Sequence, residues 1–226
     1  MKLIPCSDYD KMSQLAAQSV LTELRQNSGQ LLCPASGNSA VGVYKKLAQA
    51  IEVDPQNFKE LRILMLDEWY GLPSEDPNSC DVFMQKHLIQ PLSISKERYF
   101  SFKSNVPDPE KECDRMVETL SEQGPIDICI LGLGKNGHLG FNEPSENLSP
   151  HCHVAKLSEA SQKHAMIADM ELPPEFGLTL GMEDILQSKK IILLLTGNLK
   201  QEVTKKLLSK KISPQLPASL LWQHPN

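Results

Sequence analysis

Four short and almost wholly apolar runs constrain the fold most: Leu31-Leu32-Cys33, Ile63–Leu66, Ile126–Leu131 and Lys190–Leu195. Runs of this length and composition are strands buried on both faces, and such strands belong to a parallel sheet covered by helices. Between them the apolar period changes from continuous to three and four residues. Met12, Leu15, Ala16, Val20 and Leu24 form one helical stripe, opened by the capping signal Ser7-x-x-Asp10 and closed by Asn27-Ser28-Gly29. Ala40, Val41, Tyr44, Leu47, Ala48 and Ile51 form a second stripe, and helices are expected over Asp81–Ile89, Glu110–Gln123 and Leu199–Leu208. The alternation implies an α/β fold: a single domain over residues 1–226, with a doubly wound, mostly parallel, Rossmann-like sheet and helices on both faces.

Composition removes several classes of function. The formal net charge is −5, from 23 basic and 28 acidic residues with no long basic run, and aromatic residues make up 5% of the chain, so no nucleic-acid partner is expected. Cys6, Cys33, Cys80, Cys113, Cys129 and Cys152 are scattered without a C-x-x-C pair and read as free thiols. The first seven residues lack the apolar core of a signal peptide, and Ile191–Leu195 is too short to cross a bilayer. A soluble cytoplasmic protein without a membrane partner is the expectation.

Ligands of such sheets bind beyond the carboxyl ends of the strands, so the segments that follow the four strands carry the functional argument. Ser36-Gly37-Asn38-Ser39 opens a helix and offers backbone N–H groups, hydroxyls and the positive end of the helix dipole to a phosphate, with Lys200 at a second strand-to-helix turn. The structural alternative is an ordinary helix cap. No G-x-x-x-x-G-K-[ST] motif is present, which favours a small phosphorylated metabolite over a nucleotide. Asp67-Glu68 ends the second strand and sets two carboxylates at the crevice, either one a candidate general base, against the alternative of a turn cap and a solvated acid.

The third strand runs into Gly132-Leu133-Gly134-Lys135-Asn136-Gly137-His138-Leu139-Gly140-Phe141-Asn142-Glu143-Pro144. Gly132-x-Gly134-x-x-Gly137 matches the dinucleotide fingerprint as a bare pattern, but Pro144 would interrupt the helix a true fingerprint opens. His138 and Glu143 are instead proton-transfer groups on one close-packed loop, with a core or surface histidine as the alternative. His151-x-His153 lacks a third metal ligand and reads as a surface feature; no metal and no cofactor are expected.

These residues resemble the superfamily of glucosamine-6-phosphate deaminase and 6-phosphogluconolactonase. Leu66-Asp67-Glu68-Trp69-Tyr70-Gly71-Leu72-Pro73, Asn78-Ser79, Phe83-Met84, the Gly132–Pro144 loop, Thr179-Leu180-Gly181 and Leu195–Lys200 carry the resemblance across nearly the whole chain. The Phe141-Asn142-Glu143-Pro144 continuation is similar to the deaminase branch. The resemblance implies that Asp67 moves a proton from C2 to C1 of an open-chain sugar, that His138 opens the ring with Glu143 orienting it, and that Gly37, Asn38, Ser39 and Lys200 hold the substrate phosphate. Ser36, Glu68 and Gly137 are carried as further substrate-binding candidates and Asn136 as a member of the catalytic set.

Two departures bear on substrate. Asn136 stands where the glucosamine enzymes usually have Asp, and Lys135–Gly140 with Ile212–Ala218 and Leu220-Leu221-Trp222 is similar to the galactosamine-6-phosphate subgroup. Residues 154–176 contain no Arg, where the glucosamine branch commonly places a phosphate clamp; Lys163 and His164 are the candidates there. The implied reaction converts galactosamine 6-phosphate and water to tagatose 6-phosphate and ammonia. The alternatives are glucosamine-6-phosphate deaminase, 6-phosphogluconolactonase and a non-catalytic sugar-phosphate sensor. His153 and Ala155 stand near the expected place of basic effector ligands, so no hexosamine-phosphate activation is expected. Homo-oligomers and monomers both occur among the proteins it resembles. The chain stops at Asn226, before a further strand that relatives usually have.

Overall fold

The computed structural model describes residues 1–225, and the expectation about the chain end at Asn226 lies outside them. A five-stranded sheet is built from β1 (Leu31–Pro34), β2 (Arg62–Leu64), β4 (Tyr99–Phe100), β5 (Ile128–Gly132) and β8 (Lys190–Leu194). Its order is β4-β2-β1-β5-β8 and every pairing is parallel. Side chains alternate across it as a two-residue period requires. Leu32, Ile63, Ile128 and Ile130 pack on one face against α1 (Tyr9–Gln26) and α2 (Asn38–Val53). Leu31, Cys33, Leu64, Cys129 and Leu131 pack on the other against α4 (Pro109–Gln123) and α7 (Gln201–Leu208). The α/β architecture with helices on both faces is as expected.

The chain runs outward from β1 to β2 and β4, then returns across β1 to β5 and β8, so the direction of winding reverses between β1 and β5. That reversal opens a crevice at the carboxyl ends of these two neighbours.

A second sheet was not anticipated. β3 (Asp67–Trp69), β6 (His153–Lys156) and β7 (Phe176–Thr179) form an antiparallel sheet in the order β3-β7-β6. The strand expected over Ile63–Leu66 therefore stops at Leu64, and Asp67-Glu68 belongs to a strand of the smaller sheet instead of ending one of the larger. Other boundaries also shift. Asp8, not Ser7, caps α1, accepting from Lys11 N at 2.7 Å. The helix expected over Asp81–Ile89 is a short α-helix, α3 (Cys80–Met84), that widens into a π-helical turn over Gln85–Ile89. Two further short helices, α5 (Glu159–Gln162) and α6 (Met182–Leu186), lie in the long connection from β5 to β8. No helix follows the glycine loop before Glu159, in agreement with the rejection of a dinucleotide fingerprint. Among the described residues no helix is long and apolar enough to cross a membrane.

Candidate functional site

The crevice is a cavity of about 430 Å³ lined by residues from both sheets. At one end stands the first turn of α2. Gly37 has φ +113°, a conformation that favours glycine, and no side chain caps the helix, so the N–H groups at its start are available to an anion. Tyr9 of α1 steadies this turn, its hydroxyl donating to Asn38 O at 2.8 Å and accepting from Gly42 N at 2.7 Å. Ser36, Gly37, Asn38 and Ser39 all line the cavity, as does Lys200, which follows the tight turn at Gly197 after β8. Burial holds the Lys200 ammonium below its usual range, and the charge of Lys135 adds to the effect.

Lys135 and His164 also line this end. His164 Nδ1 accepts from Met166 N at 3.3 Å, so its Nε2 edge faces Gly37. Burial, with smaller electrostatic contributions from His138, Lys200 and Lys135, pushes His164 down to about 4, which keeps it neutral near pH 7. His164 thus occupies the region where no Arg is present, while Lys163 also lines the cavity.

Asp67 stands in the cavity wall with 7% of its surface exposed. Burial raises its carboxyl to about 7, against the opposing effects of His138 and of hydrogen bonds from Ser36 and Cys80. Ser36 Oγ donates to Asp67 Oδ1 at 3.4 Å. Its neighbour Glu68 faces the other way. The Glu68 carboxylate accepts from Trp69 N at 2.7 Å, Cys80 N at 2.8 Å and Asp81 N at 2.8 Å, capping the start of α3. Burial raises it to about 7 as well, opposed by those three donors. Glu68 does not line the cavity, so its expected place in substrate binding gives way to the cap of α3.

The glycine loop crosses over Asp67. Gly140, at φ +56°, passes so close that a Cβ there would lie 2.7 Å from Thr179 Oγ1 and 3.4 Å from Asp67 Oδ2. Phe141 packs on Trp69 with ring centroids 4.4 Å apart, and Asn142 Nδ2 donates to Leu139 O and Leu180 O at 3.0 and 2.8 Å, so the Phe-Asn-Glu-Pro segment fastens the loop to the small sheet. Gly137, also expected to bind substrate, is likewise turned away from the cavity. A Cβ there would lie 2.2 Å from Leu216 Cδ1, and its φ of +95° and contact with Leu216 account for glycine.

His138 lies flat on Gly134, where a Cβ would come within 2.3 Å of the ring. Its Nδ1 is 3.4 Å from Glu143 Oε2. Asn136 joins the two from the side, its Nδ2 donating to Glu143 Oε2 at 2.8 Å while its Oδ1 accepts from His138 N at 3.1 Å. Burial works against the Glu143 charge, yet the hydrogen bond and electrostatic interaction with His138, with donors Ser161 and Asn136, hold the carboxyl down to about 2. Ser158 and Ser161 of the α5 turn complete this shell and were not singled out from sequence; Ser158 as an N-cap was the one available signal. His151 and His153 do not meet: His151 pairs with Asp184 at 2.8 Å and His153 Nδ1 contacts His151 O. Among the described residues no cluster of ligands able to hold a metal is present.

One cavity therefore combines a helix start without a side-chain cap, a buried carboxyl near neutrality and a carboxylate-backed imidazole. Residues 7–226 match the family model described as glucosamine-6-phosphate isomerases/6-phosphogluconolactonase. The chain belongs to this family. Among members of the glucosamine-6-phosphate isomerase/6-phosphogluconolactonase family, a protein of Escherichia coli (strain K12) named "Putative deaminase AgaI" is 38% identical over 97% of this chain and 87% of its own. Glucosamine-6-phosphate deaminase 1 of Bacillus subtilis (strain 168) is 34% identical over 99% and 93%. The solved structure of a monomeric glucosamine-6-phosphate deaminase covers 100% of this chain and 95% of its own, with a TM-score of 0.93 and 34% identity. A 6-phosphogluconolactonase from Thermotoga maritima shares the fold at a TM-score of 0.73 and 20% identity, over 96% and 91% of the two chains.

Proposed function

We propose that this chain is an amino-sugar-phosphate deaminase/isomerase acting on galactosamine 6-phosphate, which with water gives tagatose 6-phosphate and ammonia. The observation that carries the reading is one cavity lined by Asp67, by His138 with Glu143 behind its ring, and by the start of α2 with Lys200. Each supplies a separate requirement. Gly37, Asn38, Ser39 and Lys200 hold the phosphate and so fix the carbon chain relative to Asp67. His138, backed by Glu143 and Asn136, transfers the proton that opens the sugar ring. Asp67 takes the C2 proton and returns it to C1, and a carboxyl near 7 both accepts and releases a proton near neutral pH. The product of that shift is an imine at C2, which water converts to the ketone with loss of ammonia.

Asn136 favours the galacto sugar. It cannot act as a second carboxylate, and its amide serves to hold Glu143. Lys135–Gly140 and the late segments that resemble the galactosamine subgroup support the same choice. Glucosamine 6-phosphate is the second reading, favoured by the names of the relatives that are 34% identical. Ammonia release from the two amino sugars, measured side by side, decides between them. A glucosamine preference overturns the substrate choice, and no ammonia from either overturns the deaminase.

A further inference from the structure

Ser161 is 2% exposed and sits in the α5 turn, where its Oγ lies 2.5 Å from Glu143 Oε1 and 3.3 Å from His138 Nδ1. A hydroxyl has one proton, and an ionised carboxylate only accepts. The shorter contact takes that proton, so toward His138 the serine oxygen presents lone pairs alone. Nδ1 must then carry the ring proton, and Nε2 is left as the basic nitrogen. Glu143 Oε2, 3.4 Å from Nδ1, makes the same demand but is already engaged by Asn136 Nδ2 at 2.8 Å. The imidazole N–H is thus shared between Ser161 and Glu143, with Ser161 the nearer. Ser158 ties the same turn to Glu143, its N and Oγ donating to Oε1 at 3.2 and 3.0 Å and its Oγ receiving Ser161 N.

We infer that Ser161 is a positioning residue of the ring-opening set, bridging His138 to Glu143 and fixing the imidazole tautomer that leaves Nε2 basic. The chemistry assigned to the bridge rests on the proposed function; the bridge itself rests on geometry. With the proton on Nδ1, Nε2 takes the proton of the anomeric hydroxyl and delivers it to the ring oxygen as the C1–O5 bond breaks and the C1 carbonyl forms; the transient imidazolium is stabilised by Glu143 directly and through Ser161. The bridge exists only with α5 seated, which makes this turn part of the acid–base apparatus. Asp67 and His164 also interact with His138 across the cavity.

The test reads the 15N shifts of His138 in labelled protein without substrate, then the pH profile of kcat, for wild type, Ser161→Ala and Ser161→Thr. Wild type and Ser161→Thr are expected to hold the proton on Nδ1. Ser161→Ala is expected to show mixed tautomers, a kcat lowered about tenfold, a part of what general acid–base catalysis supplies, with KM within about twofold, and a pH profile of kcat that differs from wild type. Should Ser161→Ala fail to fold, Ser161→Cys is read in its place. A wild-type proton on Nε2, or an alanine variant with the wild-type tautomer and pH profile, overturns the bridge. The two proposals fail separately: a protein with the Nδ1 proton that releases no ammonia refutes the deaminase alone, and one that releases ammonia with its proton on Nε2 refutes the bridge alone.

Discussion

The parallel and antiparallel sheets supply opposite walls of one cavity by different means. In the parallel sheet the strands are apolar scaffold, and the groups that face ligand ride on the segments after them: Gly37–Ser39 beyond β1, His138 beyond β5 and Lys200 beyond β8. In the antiparallel sheet Asp67 is itself a strand residue, paired with Thr179 of β7. The first arrangement leaves the side chains of Asn38, Ser39, His138 and Lys200 partly solvated, whereas the second buries a carboxyl and thereby raises it to about 7. Strand pairing fixes where Asp67 points, and the pleat sends Glu68 to the opposite side to cap α3.

The largest expected effects separate these two neighbours. Asp67→Asn should abolish turnover while phosphate binding stays measurable by calorimetry. Its stability should change in the opposite sense. A carboxyl raised from 3.8 to about 7 contributes stability that is present below about pH 4 and lost as pH rises through 7. The amide removes that loss, so the variant should melt higher than wild type at pH 8 and the gap should close toward pH 4. Wild-type activity, which needs the ionised form, should rise over the range where wild-type stability falls. Glu68→Ala should instead destabilise by roughly 2 to 4 kcal/mol, the cost of leaving buried N–H donors unpaired. A Glu68→Ala variant of undiminished melting temperature would remove the distinction between the two acids.

Much of the parallel sheet is legible in sequence because Leu31-Leu32-Cys33, Ile128–Leu131 and Ile191–Leu194 are continuous apolar runs, and the burial of a strand on two faces leaves that mark. The small sheet leaves none. β3 is Asp-Glu-Trp, β6 is His-Val-Ala-Lys and β7 contains Gly177; carboxylates and glycine disfavour strands, so tertiary packing creates these elements. The consequence reached the site. Asp67 and Glu68 are equivalent as a charged pair after an apolar run, and only membership of a strand sends them to opposite faces. Asp67, His138, Glu143, Asn136 and Lys200 stood out because each belongs to a recognisable segment, while Ser158 caps and Ser161 sits on a four-residue helix too short to show a period.

Two glycines sharpen the comparison next, one from each wall. A Cβ at Gly134 would lie 2.3 Å from the His138 ring, and one at Gly177 would lie 2.3 Å from Phe141 Cδ2. Either alanine overpacks its site, at about 1 to 3 kcal/mol. Gly134→Ala should shift the imidazole off its seat and lower kcat about ten- to hundredfold. Gly177→Ala should spread its cost through Phe141 and the Trp69 contact, with a larger loss of melting temperature per unit of lost activity. Equal ratios of activity to stability in the two variants would mean that the walls are mechanically one body.

The smallest effect concerns how the small sheet is held. His151, just before β6, pairs with Asp184 of α6, whose other oxygen accepts Gly181 N at 3.0 Å. The hydrogen bond and charge of Asp184 raise the His151 imidazole above its usual value. Raised in the folded state, the group contributes stability that is complete below about 6.5 and lost as pH rises through the higher folded value. The His151 side chain is 54% exposed, so solvent screening holds the contribution below about 1 kcal/mol. His151→Ala should therefore melt slightly below wild type at pH 5.5 and together with it at pH 9, with kcat unchanged at both, because Asp67 is held through β7 and not through this pair. A loss of kcat in His151→Ala that tracks the same pH window would show that the placement of Asp67 depends on the far edge of the small sheet.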